Sequence, residues 1–227
     1  MSSKYINIRV INDFHIPIIE KNVNKERHVT TAALLKFYIP QILDDINKVI
    51  YIDSDVLILH NLNELYNIDL ENNYAAAIID NQTISGKETH LKKLNFKFEA
   101  YFNSGVMLLN LALMRKNNIT DKLIDYRLNK YNHFMDQDAF NMVIGDNVKY
   151  ISLKYNCLNC FFRILDIKTL EELHKEKLFS NIEDNYRNAV ILHIGGKEKP
   201  WNINMGYLSN LYKQYAEKIN WNIYVII

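Results

Sequence analysis

Residues 48–59 read Lys48-Val-Ile-Tyr-Ile-Asp-Ser-Asp-Val-Leu-Ile-Leu59, an apolar run broken at its centre by two carboxylates. The β-branched and aromatic residues on both flanks predict an extended segment that resumes after the break. Side chains in such a segment alternate faces, so Asp53 and Asp55 point the same way with Cα atoms ~7 Å apart, while Ser54 points to the other face. Two like charges so placed repel unless a cation sits between them. A hard divalent ion with oxygen ligands, Mg²⁺ or Mn²⁺, suits the pair and keeps positions open for phosphate oxygens. The alternative is a surface turn with two solvated aspartates, because acidic residues are mostly exposed.

Composition narrows the setting of this stretch. The chain has 227 residues, 48% of them hydrophobic, which is ample for the core of one domain spanning 1–227. With 27 basic and 26 acidic residues the formal net charge is +1, so no global field recruits nucleic acid or an anionic membrane. The opening residues lack the apolar core of a signal peptide, and no run approaches the ~20 apolar residues of a membrane span. Two cysteines exclude a disulfide-stapled scaffold and make a reducing cytoplasm the simplest compartment. Their Cys157-Leu-Asn-Cys160 spacing suits zinc or redox chemistry, but no second Cys/His pair lies at ligand spacing, so free thiols are the expectation.

On either side of residues 48–59, strand and helix patterns alternate. Tyr5–Ile11 reads as a strand and 12–28 as a loop. Thr30 or Thr31 caps a helix carrying Ala33, Leu34, Leu35, Phe37 and Tyr38, which Pro40 ends or kinks. Residues 61–66 make one or two helical turns, and 74–79 form a buried strand of small residues ending at Asp80. The stretch 81–99 has no clear period and reads as a long functional loop. A mostly apolar strand over 101–110 follows, then a helix over 119–131, a tight corner at 135–138, a helix ending near Gly145, a strand over 148–153, a helix over 170–178 and a last strand over 189–194. This order predicts an α/β fold with a mixed, mostly parallel sheet flanked by helices. The aromatic, lysine-bearing tail after Trp201, including Trp221 and Tyr224, suits a terminal helix packed on the body, with a membrane surface as the alternative.

Polar residues gather at strand ends: Asp53, Asp55, Asp80, Asn103 and His193. Ligands of open α/β sheets bind beyond the carboxyl ends of strands, so these residues converge on one crevice. His193 follows four apolar residues. Alone it would read as a satisfied core histidine, but Gly195 and Gly196 permit close backbone approach and Lys199 adds a point positive charge. One imidazole, two carboxylates and a lysine are the parts of a metal-bound diphosphate site.

These motifs resemble the glycosyltransferases of family 8. The matching segments are Ile39-Pro40, Lys48 to Asp55, Tyr101-Phe-Asn-Ser-Gly-Val106, Asp136-Gln-Asp138 with Asn141, Tyr155-Asn156, and His193-x-x-Gly196-x-x-Lys199-Pro-Trp201, in family order over about residues 5–205. The resemblance implies a GT-A fold, a UDP-hexose donor (glucose or galactose), dependence on Mn²⁺ or Mg²⁺, retention of anomeric configuration, and a glycan or lipid-linked oligosaccharide acceptor, met in the cytoplasm or peripherally at the membrane's inner face. It makes Asp53, Asp55 and His193 the metal ligands, with Asp53 also near the donor ribose. Asp80 and Asn103 become donor-sugar contacts, and Asp136 and Gln137 line the reacting face as the catalytic pair. Gly196 and Lys199 bind the diphosphate. Gln137 carries a weakly nucleophilic amide, which leaves open a double displacement or a same-face departure and attack. Lys36 stands where the family has a donor-binding arginine, keeping the charge without the planar fork, and Leu34 where it has an aromatic. Residues 1–30 show no counterpart to the family's opening strand–helix units for uracil and ribose. The chain is thus expected to be N-terminally incomplete relative to the family, with a non-catalytic binding subunit as the alternative reading.

Overall fold

The computed structural model describes residues 32–218. The strand at 5–11, the loop at 12–28, the cap at Thr30 or Thr31, and Trp221 and Tyr224 lie outside the described residues. In chain order the elements are α1 Ala32–Ile42, β1 Lys48–Ile52, β2 Val56–Ile58, α2 Asn63–Tyr66, β3 Ala75–Ala77, α3 Gln82–Ser85, α4 His90–Leu94, β4 Val106–Asn110, α5 Leu111–Lys116, α6 Ile119–Asn129 and α7 Met135–Ile144. They continue as β5 Val148–Tyr150, a 3-10 turn Leu153–Tyr155, β6 Cys157–Leu158, α8 Phe161–Ile164, α9 Ile167–His174, α10 Ile182–Asn188, β7 Ile191–His193 and α11 Tyr207–Lys218.

The expected mixed sheet with flanking helices forms, but it is divided into a four-stranded sheet of order β1-β4-β3-β5 and a three-stranded sheet of order β2-β7-β6. The parallel majority expected from the sequence is not found among the described residues. β4 runs antiparallel to both β1 and β3, and β2 antiparallel to β7, leaving β3–β5 and β6–β7 parallel. The antiparallel placement of β4 brings its start to the edge where β1 and β3 end, so Ile52 pairs with Val106, and Ile79 bridges Phe102 just beyond β3.

Residues 48–59 are not one interrupted strand either. β1 and β2 belong to different sheets, and 53–55 turn between them. The Asp53 N–H donates to the Gly105 carbonyl at 2.8 Å, while the Asp55 carbonyl accepts from the Ile194 N–H at 2.9 Å. The aspartates therefore sit where the chain crosses from the first sheet to the second.

Alternation along the strands sorts three cores. Met107 and Leu109 of β4, with Ala75 and Ala77 of β3, face the cluster of Phe37, Leu123, Phe140 and Ile144 from the helices. Val106, Leu108 and Ala76 face the other way and meet Leu65, Val190 and Ile191 between the sheets. Beyond the second sheet, Leu158, Leu192, Phe161, Leu170 and Leu208 form the third cluster, which includes the terminal helix as expected. The alanines of β3 bury nothing bulky, which lets layers close in on both faces.

Several local readings need adjustment. α1 runs two residues past Pro40, and its terminal carbonyls are gathered by Arg115, whose Nη1 donates to the Pro40, Leu43 and Ile46 carbonyls at 3.0–3.1 Å. The stretch 81–99 holds the short helices α3 and α4, each too brief to show a period. The helix expected over 170–178 begins at Ile167, capped by the Asp166 side chain, and stops at His174.

Candidate functional site

Three ligand atoms converge at the crossing between the sheets. One from each of Asp53, Asp55 and His193 lie within 4.8 Å of one another. The extended-strand geometry anticipated for the two aspartates is replaced by a turn, yet Asp55 contacts the imidazole at 3.2 Å and a ligand atom of Asp53 lies within 4.8 Å of it. Their common setting requires Gly105. A Cβ there would stand 2.9 Å from Asp53 Oδ2 and 2.9 Å from His193 Nδ1, and would collide with His193 Cε1. Glycine at 105 is what admits the imidazole beside the carboxylate.

Each carboxylate has its own cation. Lys199 donates to Asp55 Oδ2 at 2.5 Å and to the Ile194 carbonyl. Burial works against the charge of Asp55, but His193, with Nε2 3.2 Å from Oδ1, and Lys199 outweigh it and hold the carboxyl below its ordinary range. On the other side Lys36, only 3% exposed, lies 2.7 Å from Asp136 Oδ2 and 3.3 Å from Asp53 Oδ1, over the Tyr51 ring. Burial would lower its pKa, but Asp136 and Asp53 overcome that and raise it above the ordinary lysine value. The Tyr51 hydroxyl, kept protonated chiefly by burial, donates to Asp53 Oδ1 at 2.6 Å.

The facing wall is the first turn of α7. Asp136 accepts from Ser104 Oγ at 3.0 Å, and Gln137 Oε1 accepts from the Ser104 N–H at 3.0 Å. Gln137 Nε2 points to Asp80 Oδ2 at 3.4 Å. Two further residues of this helix fasten it. Asn141 exchanges hydrogen bonds with the Phe102 backbone at 2.8 Å each. Asp138, fully buried, accepts from Tyr101 Oη at 2.5 Å, from the N–H groups of His133 and Phe134, and pairs with His90 Nε2 at 2.7 Å. Met135 opens the helix at φ +40°, a strained value for a residue with a side chain, immediately before Asp136 and Gln137.

Asp80 and Asn103 form the floor. Asn103 Nδ2 donates to Asp80 Oδ2 at 2.8 Å, and the Gln82 N–H to Oδ1 at 2.9 Å. Burial raises the Asp80 pKa, with those donors working against it. A hollow of about 280 Å³ opens between Asp53, Asn103, His193 and the Asp136–Gln137 wall. Larger hollows of about 420 and 490 Å³ lie elsewhere, against α4 and α6, and hold none of these residues. Gly196 sits at φ +93° with no atom within 4 Å of where a Cβ would project, so its backbone is open to a ligand.

Of the residues singled out from the sequence, Asp53, Asn103, Asp136, Gln137 and His193 line the hollow. Lys36, Asp55, Asp80 and Lys199 reach it through contacts with those residues or with one another, while Gly196 follows His193 by three residues without lining the hollow. Tyr51, Ser104, Gly105 and Asn156 were missed as site residues. All four stood inside recognised motifs, but apart from the Gly105 N–H to Asn103 bond the site contacts of Gly105 and Asn156 are with residues 37 to 88 positions away. The two thiols are free, and burial pushes Cys157 up to about 12 and Cys160 up to about 11, which disfavours the reactive thiolate. Among the described residues no helix is long and apolar enough to cross a membrane.

Comparisons with known proteins identify relatives of the chain and of its fold. The chain is 32% identical over 204 residues to General stress protein A of Bacillus subtilis, covering 86% of this chain and 68% of that protein. It is 32% identical over 170 residues to a lipopolysaccharide 1,2-glucosyltransferase of Escherichia coli, covering 72% of this chain and 47% of that one. The fold matches the galactosyltransferase LgtC, solved in complex with donor and acceptor sugar analogues, with a TM-score of 0.70 at 21% identity over 87% of this chain and 70% of that one. This likeness supports a GT-A-like arrangement. The family model described as glycosyl transferase family 8 matches residues 1–204, and the chain belongs to that family.

Proposed function

We propose that this chain transfers a hexose, glucose or galactose, from a UDP-sugar to a glycan or lipooligosaccharide acceptor, with retention of configuration and with Mn²⁺ or Mg²⁺ at Asp53, Asp55 and His193. The observation that carries the reading is the convergence of those three ligand atoms beside a hollow whose opposite wall is Asp136 and Gln137. The donor set fits the ion: two carboxylates and one imidazole, with Gly105 cleared to admit the ring. A divalent ion there supplies positive charge against the diphosphate leaving group, whose charge grows in the transition state.

The chain's own residues do the rest of the work. Lys199, a flexible point charge, exchanges Asp55 for phosphate oxygens, and the open backbone at Gly196 lets a phosphate approach. Asp80 and Asn103 accept and donate hydrogen bonds to the donor hydroxyls from the floor. Gln137, oriented by Ser104, and Asp136, held by Lys36 and Ser104, present fixed oxygens to the reacting face of the sugar. The lipopolysaccharide acceptor of the Escherichia coli relative supports the acceptor class.

Binding tests the donor site. Mn²⁺ with UDP should raise the melting temperature of the full chain, because a ligand that binds only the native state stabilises it by mass action. Asp55→Ala should abolish the shift. A wild-type chain that is folded yet unshifted at saturating UDP and Mn²⁺ contradicts the proposal.

A further inference from the structure

Asn156 is fully buried and belongs to none of the groups assigned above to metal, donor or acceptor. It links the floor of the site to the metal ligand. Its Nδ2 donates to Asn103 Oδ1 at 2.8 Å, and its Oδ1 lies 2.8 Å from His193 Nδ1. Asn103 in turn donates from Nδ2 to Asp80 Oδ2 at 2.8 Å and accepts at Oδ1 from the Gly105 N–H at 3.0 Å.

The direction of every bond in this chain is fixed from one end. A backbone N–H can only donate, so the atom of Asn103 that meets Gly105 is its oxygen, whatever the charge on Asp80. That same oxygen meets Asn156, which must therefore present its amino group. The other end of the Asn156 amide is then its oxygen, an acceptor, so His193 Nδ1 must carry a proton. A neutral His193 protonated only on Nε2 would set two lone pairs against each other at 2.8 Å and strand the Asn156 oxygen. Protonated on Nδ1 instead, neutral His193 turns its Nε2 lone pair toward Asp55 Oδ1 at 3.2 Å, an opposition that a cation shared by the two atoms relieves.

We propose that Asn156 is a positioning residue that, oriented by Asn103 and the Gly105 N–H, locks His193 as the Nδ1–H tautomer and so commits Nε2 to metal coordination. The proposal rests on the metal assignment of the proposed function but not on sugar transfer. Such partners of ligating histidines fix ring orientation and tautomer, and their loss commonly weakens metal binding about 10–100-fold.

The test uses the full chain with ¹⁵N-labelled histidine and no metal. Long-range proton–nitrogen correlation at a pH where the imidazole is neutral, assigned by loss of signals in His193→Ala, should show the His193 proton on Nδ1. Mn²⁺ alone, titrated by calorimetry, should bind Asn156→Leu about 10–100-fold more weakly than wild type. Asn156→Asp, which keeps an acceptor for Nδ1–H but loses the amino group, should retain most of the affinity. A purely structural amide would make both variants equally weak. The proton of neutral His193 found on Nε2 in the wild type overturns the proposal, and this readout stands even if Asn156→Leu does not fold. Equal Mn²⁺ affinity of wild type and Asn156→Leu overturns it too. Correct tautomer and affinities without any sugar-nucleotide turnover would sink the proposed function and leave the relay standing.

Discussion

Lys36 shows how one buried charge organises the site. Its ammonium lies between Asp136 and Asp53 and is almost fully enclosed. Lys36→Met keeps the stem volume but leaves two carboxylates without their shared cation, at an expected cost of about 3–5 kcal/mol in urea unfolding. The folded pKa is raised, so the contribution is fully present below the ordinary lysine value of 10.5 and fades only as the pH climbs beyond it. The difference between wild type and variant should thus be flat between about pH 6 and about pH 9 and shrink in alkali. A difference that vanishes at neutral pH would contradict the pairing. Asp53, Asp55 and His193 were legible in the sequence because charged or titratable groups inside apolar runs demand a reason, whereas Lys199, in a polar Gly-Gly-Lys-Glu-Lys segment, stands out only by its spacing from His193. Gly105 and Tyr51 were not, because a glycine before a strand and a tyrosine within one have ordinary explanations. Only the imidazole beside Gly105 and the carboxylate above Tyr51 give them another.

At the scale of elements, strands and longer helices were readable from periodicity, and their mutual placement was not. The run 48–59 looks continuous because both flanks are equally apolar, and nothing local says that β1 and β2 join different sheets. Their pairing with β4 and β7 is settled by residues more than 50 positions downstream. Helix α9 illustrates a titration hidden in an element that read as merely amphipathic. His174, in its last turn, stacks near Phe161 at 6.3 Å, and burial pushes its pKa down to about 4 from 6.5. The unfolded chain takes up this proton first as the pH falls, so stability should be lost between about pH 6.5 and about pH 4, on the order of 2 kcal/mol. Urea unfolding at pH 7 and pH 5 should show His174→Leu losing less on acidification than wild type. An equal or larger loss in the variant would remove His174 from the acid limb.

The whole molecule joins two sheets through a shared core of Ile50, Ile52, Val56, Val190 and Ile191, with the site at the seam. Each sheet supplies part of the chemistry: β1 and the start of β4 bring Asp53, Asn103 and Gly105, while β7 brings His193 and leads to Gly196 and Lys199. Helix α7 closes the third side with Asp136 and Gln137. The order of motifs was enough to anticipate this convergence. The antiparallel entry of β4, which makes it geometrically workable, was not. In the proposed function these three contributions serve one metal-dependent sugar-nucleotide transfer, and UDP release from UDP-glucose and UDP-galactose in the presence of Mn²⁺ measures it. Turnover of at least one donor is expected, lost on chelation and lost in a folded Asp55→Ala variant. Turnover that persists in Asp55→Ala, or its complete absence in folded wild-type protein, would contradict the proposal.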